Sequence, residues 1–302
     1  MNFLLAALLS LPASAGDPAP APASAVVKPA GKAKPKRVLP GEDVSLITRD
    51  GWTLNAKYVP AKENQYTFVL LHNGAGRKED WYFLAKAMQR RGVGMLAPDL
   101  RGHGTSVGAP PGQPDAWRKF VVTKQYNEWN NMSMDVEAAV AYLKEKNVPE
   151  TSIALGGGDV GASLALRYAA VHKQAPFLFM LSPGMAYREV LTINAMRAYA
   201  ERPVLMIVAN DDKRSTAETA ILFEFAKRGV GADKATLFSV DREHGTKMLQ
   251  VNKGLITRLL DWVDNPISDP EATELSTATE DGQDPLPSDS ALGGDTQTVP
   301  EN

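Results

Sequence analysis

Four histidines and no cysteine in 302 residues narrow the available chemistry. Without a thiol there is no disulfide, no thiolate metal site and no cysteine nucleophile. Bond-making falls to carboxylates, imidazoles and hydroxyls. These gather in a few short stretches: His72-Asn73-Gly74, Asp99–Ser106, Asp159, Ser182-Pro183-Gly184, Asn210-Asp211-Asp212 and Asp241–His244. A carboxylate such as Asp159 is ionised at neutral pH, with an unperturbed pKa of about 3.9, and needs no base to act as a nucleophile. An imidazole such as His244 can accept a proton from water near neutrality, the more so when a second carboxylate orients it.

Each of these stretches stands where a strand-like run ends. Val44–Thr48 and Thr53–Tyr58 read as a hairpin around Asp50-Gly51. Thr67–Leu71, Val93–Ala97, Ser152–Gly156, Phe177–Leu181, Val204–Ala209 and Ala235–Val240 are apolar runs of strand length. Between them, Trp81–Arg91, Met134–Lys146, Ala162–His172, Val190–Ala200, Thr216–Arg228 and Met248–Val263 have helical spacing, with Ser133 expected to cap the second of these. Buried strands alternating with helices predict an α/β fold, a mostly parallel central sheet with helices on both faces. Ligands of such sheets bind beyond the carboxyl ends of the strands, where the polar stretches lie.

The termini have a different composition. Residues 1–15 pair an apolar run, Phe3–Leu11, with Ala13-Ser14-Ala15, the pattern of a cleaved signal peptide, so a secreted or periplasmic location is expected. Residues 16–37 form a Pro/Ala/Lys linker whose basic cluster could touch an anionic envelope surface. Residues 266–302 carry acids but no Lys, Arg or aromatic residue, and are expected to be a disordered tail. That leaves one domain over 38–265. The whole chain has a net charge of −2, which gives no field for nucleic acid, and no apolar run is long enough for a transmembrane span.

Five of the segments, in chain order, resemble the α/β-hydrolase fold family, and in particular small bacterial members related to dienelactone hydrolases. Leu70–Trp81 (LLHNGAGRKEDW) is similar to the oxyanion loop, and Leu96–Ser106 (LAPDLRGHGTS) to the D-x-R-G-H-G-x-S stretch. Ala154–Leu166 (ALGGGDVGASLAL) resembles the nucleophile elbow, Met180–Val190 the segment after the sixth strand, and Arg242–Leu249 the catalytic-histidine loop. The resemblance implies a hydrolase with Asp159 where the family has its nucleophilic serine, between the small residues Gly157 and Gly161. It implies His244 as base and Asp212 as the acid orienting it, with Asp211 the alternative. Backbone N–H groups of Asn73 or Gly74 and of Val160 would form the oxyanion hole. Gly104–Gly108 fits G-x-S-x-G literally, but no helix follows it, so Ser106 reads as a loop hydroxyl.

Three readings of Asp159 stand side by side. As a nucleophile it suits displacement at an alkyl carbon better than ester hydrolysis, because attack on an acyl carbon would expel an alkoxide to form an anhydride. Related haloalkane dehalogenases and epoxide hydrolases use aspartate in this way, although Val160 stands where the dehalogenases usually place Trp. Alternatively the chain is a catalytically degenerate pseudohydrolase that binds a ligand or partner, with Asp159 serving as a helix N-cap worth about 1 kcal/mol. In the third reading His244 activates water directly while Asp159 positions it. His72 and His103 read as loop braces, Asp99 as a turn carboxylate pairing with Arg101, and Trp81, Trp117 and Trp129 as packing or cleft walls. The long connection Arg101–Met132 reads as a lid or binding segment. With no metal-ligand spacing, Walker loop or dinucleotide fingerprint, no cofactor is implied, and the expected partner is a small molecule.

Overall fold

The computed structural model describes residues 38–123 and 126–266. The leader, linker and tail expected over 1–15, 16–37 and 266–302 lie outside the described residues, apart from Pro266. Eight strands share one sheet: β1 (Glu42–Ile47), β2 (Thr53–Val59), β3 (Thr67–Leu71), β4 (Gly94–Pro98), β5 (Ile153–Gly158), β6 (Leu178–Leu181), β7 (Val204–Ala209) and β8 (Ala235–Val240). Their spatial order is β1-β2-β4-β3-β5-β6-β7-β8. β2 is antiparallel to β1 and β4, and the remaining neighbours all pair in parallel.

The parallel strands are apolar throughout because both of their faces are covered. Val69, Leu71, Leu155, Met180 and Met206 face one layer, while Phe68, Leu70, Phe179, Leu181, Leu205 and Ile207 face the other. The first layer is closed by α2 (Ser133–Glu145), α3 (Val160–Val171) and α4 (Lys213–Val230), the second by α1 (Tyr82–Arg91) and α5 (Leu255–Asp264). Each helix buries residues at helical spacing, such as Val136, Ala139, Val140 and Leu143 of α2. Register then places the site. Leu71 pairs with Gly157 and Gly158 with Leu181, so β3, β5 and β6 end side by side. Their next residues share one edge.

Three local expectations are corrected. Ser133 is the first residue of α2 and no side chain caps that helix. The short helix Glu128–Asn131 runs almost directly into it, and Asn127 caps that helix by accepting from the Trp129 N–H at 2.9 Å. Val190–Ala200 is not one helix: Ala186–Tyr187 and Val190–Leu191 form a hairpin, and helix resumes only over Ile193–Ala198. The closing helix breaks into Met248–Val251 and α5 at Gly254, whose φ of 78° is left-handed.

Candidate active site

Asp159 occupies the bend between β5 and α3 with φ 55° and ψ −122°, a conformation that costs a non-glycine residue about 1–3 kcal/mol. The glycines around it make the bend possible. A Cβ on Gly157 would lie 2.3 Å from the Gly161 backbone, and one on Gly161 would lie 2.3 Å from the Leu71 carbonyl oxygen. The carboxylate does not cap α3, which corrects the expectation that aspartate serves there as an N-cap. The bend turns it toward the cleft instead. There its Oδ2 accepts from the Gly74 N–H at 3.2 Å and stands 3.8 Å from His244 Nε2.

His244 is held from behind by Asp212, whose Oδ2 accepts from Nδ1 at 2.5 Å. Asp211 does something else: its two oxygens accept from the Glu243 N–H at 3.0 and 3.2 Å. The structure therefore pairs Asp212, not Asp211, with the imidazole. Burial pulls the His244 pKa down, but the hydrogen bonds and charges of Asp159 and Asp212 outweigh it and raise the pKa above 6.5. A group with a raised folded-state pKa contributes stability that is complete below 6.5 and is lost as pH rises through the raised value. Asp159→Asn should shrink that loss, as read by urea denaturation from about pH 6 to about pH 9. An unchanged pH dependence would count against the pairing.

Asp159, Gly76, Asp80, His244 and Lys247 line part of a cleft of about 480 Å³ beside the bend. The edge of His244 also meets the ring of Tyr187, from the hairpin after β6, at 5.9 Å and 79°. Burial, then the charges of Asp159 and Asp212, push the Tyr187 phenol up, so it stays a neutral O–H.

Residues 66–183 match the alpha/beta hydrolase fold family. This span runs from β3 to just past β6 and includes the bend. The chain has the α/β-hydrolase fold. Among solved structures, an esterase of Pyrococcus furiosus is similar at 20% identity, covering 75% of this chain and 90% of its own, with a TM-score of 0.60. An α/β hydrolase from Penicillium is similar at 18% identity, with 76% and 99% covered and a TM-score of 0.60. A dienelactone hydrolase from Anabaena variabilis is similar at 14% identity, with 74% and 95% covered and a TM-score of 0.55. No curated protein matches the chain. At these identities the likeness speaks for the fold, and the site must be argued from its own atoms.

Around the bend, the other sequence candidates brace loops. His72 is buried, donates from Nδ1 to the Asn73 carbonyl at 2.7 Å and accepts at Nε2 from the Leu100 N–H at 3.0 Å. Burial, then the neighbouring His103, drives its pKa to about 3, so it is a neutral prop. His103 Nε2 lies 2.9 Å from the Gly74 carbonyl, and its ring stacks on Trp117 at 5.4 Å. Ser106 Oγ accepts from the Asn55 N–H at 2.8 Å and does not line the cleft. Asp99 does not pair with Arg101: it accepts from Lys78 Nζ at 2.5 Å and from the Lys78 and Thr105 N–H groups at 2.8 Å. Arg101 turns instead to Asp50 and Asp135.

Of the expected oxyanion donors, Gly74 N–H already points at Asp159, and Val160 opens α3 beside it. The Asn73 side chain is turned toward the histidine loop, where its Oδ1 accepts from the Thr246 N–H at 3.2 Å. Two further residues contribute, Ser182 from one of the strand-end stretches and Tyr187, which residue type did not mark. Ser182 accepts from the Gly245 N–H at 2.8 Å, and Tyr187 packs on His244. Ser182 stands at a strand end and takes φ 45°, but a sequence gives no sign that its hydroxyl faces a loop 63 residues away.

Proposed function

We propose that the protein is a hydrolase of alkyl electrophiles that works through an ester on Asp159. The observation that carries this is the placement of the Asp159 carboxylate. It is held in a strained bend without capping a helix, 3.8 Å from a histidine that is itself backed by Asp212. A replacement that served only folding would gain from the cap bond, and Asp159 does not make it.

In the first step an Asp159 oxygen attacks a saturated carbon. The carbon–leaving-group bond breaks, and the leaving group departs with the electron pair as halide or as the oxygen of an opened epoxide. In the second step water attacks the Asp159 carboxyl carbon while His244 Nε2 takes its proton. The Gly74 and Val160 N–H groups meet the oxyanion that develops on the side chain of Asp159 itself. Collapse releases the alcohol and restores the carboxylate. Charge favours this order. Free His244 is flanked by two carboxylates and holds its proton tightly; ester formation neutralises one of them, so the imidazole becomes an available base in the step that needs it. Acyl substrates fit poorly, since Asp159 would have to expel an alkoxide to form an anhydride. The leader read from residues 1–15 would place this chemistry in the periplasm or outside the cell.

The test is single turnover of haloalkanes and epoxides in ¹⁸O-water. One label is expected in the Asp159 carboxylate, read by peptide mass spectrometry. Label in the product alone would instead mean direct attack by water. Silence of the wild type on haloalkanes, epoxides and aryl esters, with esterase activity gained by Asp159→Ser, would make the cleft a ligand-binding module.

A further inference from the structure

We propose that the Asn73 side chain is the spacer that sets the separation of Asp159 and His244, a positioning residue acting through Gly158 and Gly245. This rests on the reading of Asp159 and His244 as a working pair.

The His244 loop is gripped through its backbone by side chains from three strand ends. Glu243 N–H goes to Asp211, Gly245 N–H to Ser182 Oγ at 2.8 Å, and Thr246 N–H to Asn73 Oδ1 at 3.2 Å. Asp211 and Ser182 hold the loop from the β7 and β6 ends. Asn73 is different, because it also touches the other half of the pair. A Cβ on Gly158 would lie 2.2 Å from Asn73 Oδ1, and one on Gly245 would lie 2.3 Å from Nδ2. The carboxamide thus fills the room left by two missing side chains, one beside Asp159 and the other beside His244. Any Cβ at either position would have to displace it. The next residue, Gly74, donates to Asp159, so one short loop both spaces the pair and holds its carboxylate.

A planar amide suits this position. Its oxygen satisfies the Thr246 N–H, it carries no charge to disturb Asp159, and it is short enough to fit between two backbones. The groups facing His244 are then Asp159 from the bend, Asp212 from the β7 end and the Tyr187 ring.

The test reads His244 directly, by NMR titration of its imidazole in ¹⁵N-labelled full-length wild type, N73A and N73D, with thermal melts to establish folding. N73A removes the spacer, so the His244 midpoint should fall below the wild-type value, toward that of an imidazole held by Asp212 alone, as Asp159 loses contact. N73D keeps the acceptor and the volume, so its midpoint should stay at or above the wild-type value. A wild-type midpoint in N73A overturns the proposal, as does an equal fall in both variants. If N73A does not fold, the N73D titration decides, and a lowered midpoint there overturns it. In an enzyme that turns over, N73A should lose about a hundredfold in kcat with KM little changed, as expected for a small misplacement of reacting groups. The titration does not depend on turnover. A wild type without activity removes the hydrolase reading while the spacer still stands or falls on its own readout.

Discussion

Replacing His244 with alanine should produce an enzyme that loads and cannot unload. The Asp159 carboxylate is a nucleophile without help, so the alkyl ester still forms. Its hydrolysis loses the base that sits 3.8 Å away, and removal of a general base slows such a step by about 10²–10⁴-fold. His244→Ala incubated with an alkyl electrophile should therefore release close to one leaving group per protein and then stop. Intact mass spectrometry should show the added alkyl mass, and peptide mapping should place it on Asp159. Asp159→Ala should show neither burst nor adduct. Asp212→Ala should fall between these extremes, because the imidazole remains but is no longer held in the tautomer that presents Nε2 to the cleft. Turnover in the wild type without any adduct in His244→Ala would remove the covalent step. Ester hydrolysis in the wild type should slow as pH drops below the His244 pKa of the alkyl-enzyme, which lies under that of the free enzyme because the ester has removed the Asp159 charge.

What the sequence revealed about this site followed from what is local in it. Apolar runs that end in polar residues marked the strand ends, and a glycine on either side of Asp159 marked a bend that only small neighbours permit. Choosing between Asp211 and Asp212 was harder, because adjacent carboxylates after one strand differ only in direction. Asp212 reaches Nδ1 while Asp211 takes the Glu243 N–H. The cap expected of Asp159 failed for a backbone reason, since the left-handed φ aims the carboxylate away from the first turn of α3. The Asn73–Thr246 bond spans 173 residues, and nothing in local pattern announces a side chain that wedges two distant loops. Asp99 with Arg101 was the misleading case. Two residues close together in a loop can face opposite ways, and each found a partner elsewhere, Asp99 in Lys78 and Arg101 in Asp50 and Asp135.

That second pairing carries the largest stability effect expected here. The Arg101 side chain is 2% exposed and that of Asp135 is 0% exposed. Asp135 receives the Arg101 N–H at 2.8 Å and Nε–H at 2.7 Å, while the two terminal nitrogens reach Asp50 at 2.6 and 3.0 Å. Burial lifts the Asp135 carboxyl to about 6, against the pull of Arg101, so at neutral pH it is a charge that depends on its partner. Arg101→Met would leave that charge in the core with one backbone N–H, and breaking a buried pair from one side costs about 3–5 kcal/mol. For a domain of this size that is a fall of roughly 6–20 °C in the melting temperature. Arg101→Met with Asp135→Leu should recover most of the loss, since apolar replacement of both partners removes the stranded charge; Asp50 remains in reach of water. A double variant as unstable as the single one would mean that the guanidinium is needed for shape and not for charge. The same arginine also offers its carbonyl to His103 Nδ1 at 2.8 Å, and His103 lies against the Gly74 carbonyl. The network that ties β1–β2 to α2 therefore ends on Gly74, the residue whose N–H holds Asp159, and the single variant should weaken that hold as well as the fold.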